Sequence, residues 1–210
     1  MSEATSHGHA PPFNAAPLRT GLRARALAFA VMLAGCSSVP LSSLVQLTRI
    51  NAETTDLAAL RVAVRLPSAL KPRPGGVNMD VLLKVTGEPD QKTTLFLAET
   101  HDAGDLSGLS SAARPGFSIY AYRLAPSDIE RLILMRAALL KQRQDGKRGS
   151  LGVGIAAKEF CLVGALPSGS PLSTTYLLTS ETRSYVVLTD DLDLGKEPAV
   201  AAELTRLKAC

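Results

Sequence analysis

A two-residue hydrophobic period recurs along most of this chain and gives way only once to a long helical pattern. Arg61-Val62-Ala63-Val64-Arg65-Leu66 alternates strictly, which predicts a strand with Val62, Val64 and Leu66 turned inward and Pro67 at its end. The period returns over Val77–Val85 and Phe117–Leu124. It appears again at Leu151, Val153 and Ile155, and is taken up through Phe160 and Leu162. Leu44–Ile50 alternates less cleanly and also reads as a strand. Turn-forming runs separate these segments: Lys71–Gly76, Gly87-Glu88-Pro89-Asp90 and Pro167–Pro171. Thr93–Glu99 is expected to pair back on the strand before it. Thr174–Thr179 and Ser184–Thr189 are expected to form a last hairpin around Glu181-Thr182-Arg183.

The helical pattern follows Pro126. Ser127-Asp128-Ile129-Glu130 has the form of a capping box. Ile129, Leu132, Ile133, Arg136, Leu139 and Leu140 follow at helical spacing, and Gly146 stops the run. Two shorter helical pieces are expected, one turn from Thr54-Thr55-Asp56 to Leu60 and an amphipathic piece opened by Glu197-Pro198 with Val200, Leu204 and Leu207 on one side. Strands in hairpin order around one main helix predict an α+β domain. Its body is a mainly antiparallel β-sheet or sandwich packed by that helix.

The N-terminal region follows another logic. Arg19, Arg23 and Arg25 precede the apolar run Ala26–Ala34, which at nine residues falls well short of the about 20 a spanning helix needs. A positive segment, a short apolar segment and small residues describe an export signal. Leu33-Ala34-Gly35-Cys36, followed by Ser37-Ser38, resembles the lipobox of bacterial lipoproteins, a likeness that covers residues 19–38. The resemblance implies that signal peptidase recognises Leu33, Ala34 and Gly35 and cuts before Cys36. It also implies that the Cys36 sulfur carries a diacylglycerol and that the new amine is acylated. Each buried CH₂ contributes about 0.8 kcal/mol, and two acyl chains already suffice for stable anchoring. The expected organisation is a removed signal peptide over 1–35, a lipidated tether over 36–43 and a single periplasmic β-rich domain over 44–210. Ser37 in place of Asp points, by the sorting rule of enteric bacteria, to the periplasmic face of the outer membrane.

Counts of rare residues narrow the chemistry. The chain has three cysteines. With Cys36 lipidated, Cys161 and Cys210 remain, and two thiols in an oxidising compartment are expected to pair, the alternative being one buried and one terminal free thiol. Removal of the leader takes two of the three histidines and leaves His101, which excludes a multi-histidine zinc site and obliges any Ser-His-Asp triad to use His101. There is no Trp and aromatics are 4%, so stacking platforms for bases are scarce. A net charge of +4 from 23 cations and 19 anions gives no footprint for nucleic acid.

Four segments carry groups that could do chemistry, and each also has a plain structural reading. Glu99-Thr100-His101-Asp102-Ala103-Gly104-Asp105 gathers three carboxylates with His101 on a long loop, but lacks the ligand spacing of a calcium loop. Asp190-Asp191-Leu192-Asp193 reads as a solvated strand exit more readily than as a cation site. Gly149-Ser150-Leu151-Gly152-Val153-Gly154 lacks the Lys-Ser/Thr of a phosphate loop and sits within an alternating strand, where glycine facing a packed helix explains it better. Arg136, Lys141, Arg143, Lys147 and Arg148 complement the helix macrodipole on a solvated face, or meet anionic lipid head groups or peptidoglycan.

No cofactor, metal ligand set or catalytic constellation emerges. The expectation is a membrane-anchored envelope lipoprotein whose domain binds or scaffolds a protein partner without catalysis. An accessory role in lipid or solute transport is the second reading, and would be favoured by a deep pocket of Leu, Val and Ile. A hydrolase using His101 is the third, and needs His101 in a cleft within about 3 Å of a Ser or carboxylate.

Overall fold

The computed structural model describes residues 50–210, with 52 and 167 left out. The expected signal peptide, Cys36, the expected tether and most of the predicted Leu44–Ile50 strand lie outside the described residues.

Ten strands are described: β1 (Arg61–Pro67), β2 (Leu70–Pro72), β3 (Val77–Val85), β4 (Gln91–Phe96), β5 (Ala98–Thr100), β6 (Phe117–Arg123), β7 (Gly149–Ala157), β8 (Phe160–Leu162), β9 (Leu172–Leu178) and β10 (Val186–Asp193). Three α-helices accompany them: α1 (Ala103–Leu106), α2 (Pro126–Gln144) and α3 (Pro198–Leu204). The strands form a five-stranded sheet in the order β10-β9-β1-β6-β5, a three-stranded sheet in the order β4-β3-β7, and the pair β2-β8. Every pairing between these strands is antiparallel. The predicted α+β class, antiparallel and packed by one main helix, is the observed one.

Alternation explains the layering. Val62, Val64 and Leu66 of β1 share one buried cluster with Val77, Met79 and Val81 of β3, Leu95 of β4, Phe160 of β8 and Leu132 of α2. Each fully buried Val or Leu there contributes about 1.5–3 kcal/mol. Central in its sheet, β1 is buried on its other face as well. Ala63 of β1 packs with Ala121 of β6, Tyr176 of β9 and Leu109, which comes from the segment after β5. That segment, residues 101–114, reads from sequence as a long polar loop. It instead folds as α1 and a 3-10 turn, Ser110–Ala112, and lies over this face. Small side chains at 63 and 121 leave room for it.

Three expectations are corrected. The Ser127–Glu130 capping box does not form: α2 starts two residues earlier, with Pro126 in its first turn, extended Ala125 as N-cap and no side-chain cap. A proline there brings no N–H that needs an acceptor, and it biases Ala125 to the extended region. Residues 53–60 make turns in place of a helical turn, held by Thr55 N–H donating to the Asn51 carbonyl at 2.8 Å. Of the predicted apolar stripe of α2, Leu132 and Leu139 are buried, whereas Ile133 and Leu140 are exposed. The helix packs on the small sheet mainly through β3 and β7.

Candidate functional site

Cys161 and Cys210 are bridged, with their Cα atoms 5.0 Å apart. The last residues lie along β8: Leu162 N–H donates to Lys208 O and Cys210 N–H to Leu162 O, each at 2.9 Å. The C-terminus is thus fastened to the body by two hydrogen bonds and a covalent link.

His101 stands at the surface, its side chain 84% exposed. Its nearest carboxylate oxygen, on Glu99, is 3.8 Å away, beyond hydrogen-bond reach. The cleft position required of a general base is not the one it occupies. Its acidic neighbours have structural work. Asp102 caps α1 by accepting from Gly104 N–H at 3.1 Å. Asp105 is ion-paired to Arg61 of β1 and accepts from Thr100 Oγ1 at 2.8 Å. Burial acts to raise the Asp105 pKa, but the hydrogen bonds from Arg61 and Thr100 outweigh it and hold the carboxyl below its ordinary value. The Tyr185 hydroxyl donates to the Asp105 backbone carbonyl at 2.7 Å. Burial, with the nearby Asp105 charge, pushes that phenol up to about 12. These contacts pin α1 to the large sheet. No group of three His, Cys, Asp or Glu side chains among the described residues is placed to hold a metal.

Glycine against a helix explains only one member of the 149–154 run. A Cβ on Gly149 would stand 2.5 Å from Leu139 Cδ1, whereas one on Gly154 would meet open space. Three of the five basic residues at the end of α2 bind the protein itself. Arg136 donates to Thr55 O at 2.8 Å, Arg143 pairs with Glu53, and Lys147 pairs with Glu88 at 2.6 Å.

A cleft of about 400 Å³ opens beside the covering segment on the outer face of the large sheet. Arg65 of β1 anchors it. Its guanidinium donates to Thr174 Oγ1 at 2.8 Å, Ala112 O at 3.2 Å and Asp191 Oδ1 at 3.2 Å. Arg114 donates to the two Asp191 carboxylate oxygens at 3.2 and 3.1 Å, and its guanidinium lies 4.8 Å from the centre of the Phe117 ring. Register shifts in β10 after Val187 and after Thr189 turn Asp190 and Asp191 toward these cations. Asp191 takes a left-handed backbone, φ 43°, to do so. Two of the carboxylates read as a solvated strand exit therefore face arginines, and Asp193 caps the next turn by accepting from Gly195 N–H at 2.9 Å. Nothing in the sequence pairs residues 65 and 191, which are 126 positions apart.

A second, apolar region follows β7. One cavity of about 80 Å³ is lined by Leu151 and Val153 of β7, Leu177 of β9, Leu132 of α2, and Leu57 and Leu60. Another of about 180 Å³ is lined by Ile155 and Ala157 of β7 and by Ser173 and Thr175 of β9. No helix among the described residues is long and apolar enough to cross a membrane.

No family model, no curated protein and no solved structure matches this chain.

Proposed function

We propose that this chain is an exported lipoprotein of a bacterial envelope, tethered through Cys36 at the periplasmic face of the outer membrane, with a domain that binds a protein partner and catalyses nothing. The observation that carries this reading is the Cys161–Cys210 bridge. Disulfides persist in oxidising compartments outside the cytosol. The bridge uses two of the three cysteines and leaves Cys36, the residue at the end of the lipobox-like run. Two chains at that sulfur and a third on the amine would hold the domain at a membrane.

Binding without catalysis is supported by the surroundings of His101, an exposed side chain with no hydrogen-bonded Ser or carboxylate among the described residues. A protein partner is favoured over a carried lipid by size. Small-molecule pockets run to about 300–1,000 Å³. The two apolar cavities beside β7 are about 80 and 180 Å³, and the 400 Å³ cleft is lined by Arg65, Arg114, Asp190 and Asp191.

Detergent phase partition tests the tether. Wild-type protein expressed in a lipoprotein-processing bacterium is expected in the detergent phase, and Cys36→Ser in the aqueous phase at the size of the unprocessed chain. Equal partition and equal size would overturn the reading.

A further inference from the structure

In β7 the two edges of the strand differ. One pairs with β3 from Val85↔Gly149 to Val77↔Ala157. The other pairs with nothing among the described residues. Edge strands left open are usually blunted by charge, proline, brevity or a bulge. This strand has nine residues, GSLGVGIAA, and carries no charge and no proline. Its inner row is left partly uncovered by the described residues. Val81 of β3 is fully buried, yet its register partner Val153, pointing to the same side, is 52% exposed. The two apolar cavities continue one another along this row, the first beside Leu151 and Val153, the second beside Ile155 and Ala157.

We infer that β7 receives an extended segment of a partner protein as a further strand of the small sheet. This deepens the partner-binding reading above and rests on it. Main-chain hydrogen bonds to the open edge would supply affinity, and alternate side chains would enter the two cavities. Charge selects the occupant. Arg148 and Lys158, the latter with its ammonium 3.7 Å from Asp80 of β3, bracket the uncharged stretch. A second copy paired antiparallel about Val153 would set Arg148 opposite Lys158 at both ends, and like charges directly opposite are destabilising. A partner segment of about nine residues, apolar at alternate positions and acidic at both ends, meets cations there and apolar cavities between.

The test uses the full chain carrying Cys36→Ser and a labelled synthetic peptide of alternating valine and threonine with aspartate at each end. Fluorescence anisotropy is expected to show saturable binding. Lysine at both ends of the peptide weakens it about tenfold, since two favourable pairs become two repulsive ones. N-methylation of alternate peptide amides in either phase is compared, and one phase abolishes binding. Val153→Lys abolishes binding with an unchanged far-UV melting curve, and Ile133→Lys on the exposed face of α2 leaves it intact. Four results would overturn the inference: no binding of the aspartate-ended peptide, equal binding of the lysine-ended one, a dimer in sedimentation that Val153→Lys dissociates, or binding only after Leu44–Arg49 is deleted. The last two would assign the edge to a second copy or to this chain. None of the four depends on whether Cys36 is lipidated.

Discussion

Arg65 and Asp191, 126 positions apart in sequence, meet at 3.2 Å on the outer face of the large sheet, with the Thr174 hydroxyl between the two strands they come from. Arg65 is mostly buried, at 12% side-chain exposure, and Asp191 is not, at 42%. The contact holds the irregular β10 edge to the centre of the sheet, and Arg114 ties the covering segment to the same carboxylate. Arg65→Met is expected to lower stability by roughly 1–3 kcal/mol, because Thr174 and Asp191 lose a charged donor. Asp191→Gly is expected to cost less than about 1 kcal/mol, since relief of the left-handed backbone offsets the lost pair. Urea denaturation of both variants checks the order, and a larger loss for Asp191→Gly would contradict it.

Gly149 and Gly154 are separated by the same logic of space. Gly149→Ala drives a methyl group to 2.5 Å from Leu139 Cδ1 and 2.9 Å from Lys84 O, and Gly154→Ala meets nothing. The first is expected to destabilise by about 1–3 kcal/mol and the second by less than about 0.5 kcal/mol. Thermal melts of the two variants read the difference directly.

Acid sensitivity follows from Asp105. Its carboxyl is held below the ordinary 3.8 in the folded protein. As pH falls, the unfolded chain therefore takes up this proton first. The stabilisation is fully present above 3.8 and is lost as pH drops through the lower folded value. Asp105→Asn is expected to flatten the fall of stability below about pH 4 relative to wild type. Denaturation midpoints measured from pH 5 downward test this, and parallel curves would contradict it.

Much of the fold was legible because burial on one face leaves a period. Val62, Val64 and Leu66 could be placed inward from alternation alone, and all three are fully buried. The second buried face of β1 was not legible, since Ala63 and Ala121 carry too little hydrophobic signal to mark it. The helix stripe misled at Ile133 and Leu140, because periodicity reports an apolar face without reporting how wide a surface is available to cover it. The Cys161–Cys210 pair was legible by counting. The Arg65–Asp191–Arg114 cluster was not, since it is assembled from β1, the covering segment and a bulged edge strand that only the three-dimensional fold brings together. The open edge of β7 was hidden for a similar reason: Leu151, Val153 and Ile155 look the same in sequence whether or not a strand lies beside them.

Reduction of the bridge should be visible in mass and in stability. Intact mass is expected to rise by about 2 Da on reduction, the mass of two hydrogens. Cys161→Ser with Cys210→Ser is expected to cost about 2–4 kcal/mol, as a link spanning 49 positions is removed. Full alkylation of Cys161 and Cys210 without reductant would contradict the pairing.

The proposed tether is tested most directly by mass spectrometry of the protein recovered from the membranes of a lipoprotein-processing bacterium. The account predicts an N-terminal residue of Cys36 bearing a diacylglyceryl thioether and an acylated amine. A chain that still begins at Met1, or a Cys36 thiol free to react with an alkylating agent, would contradict it.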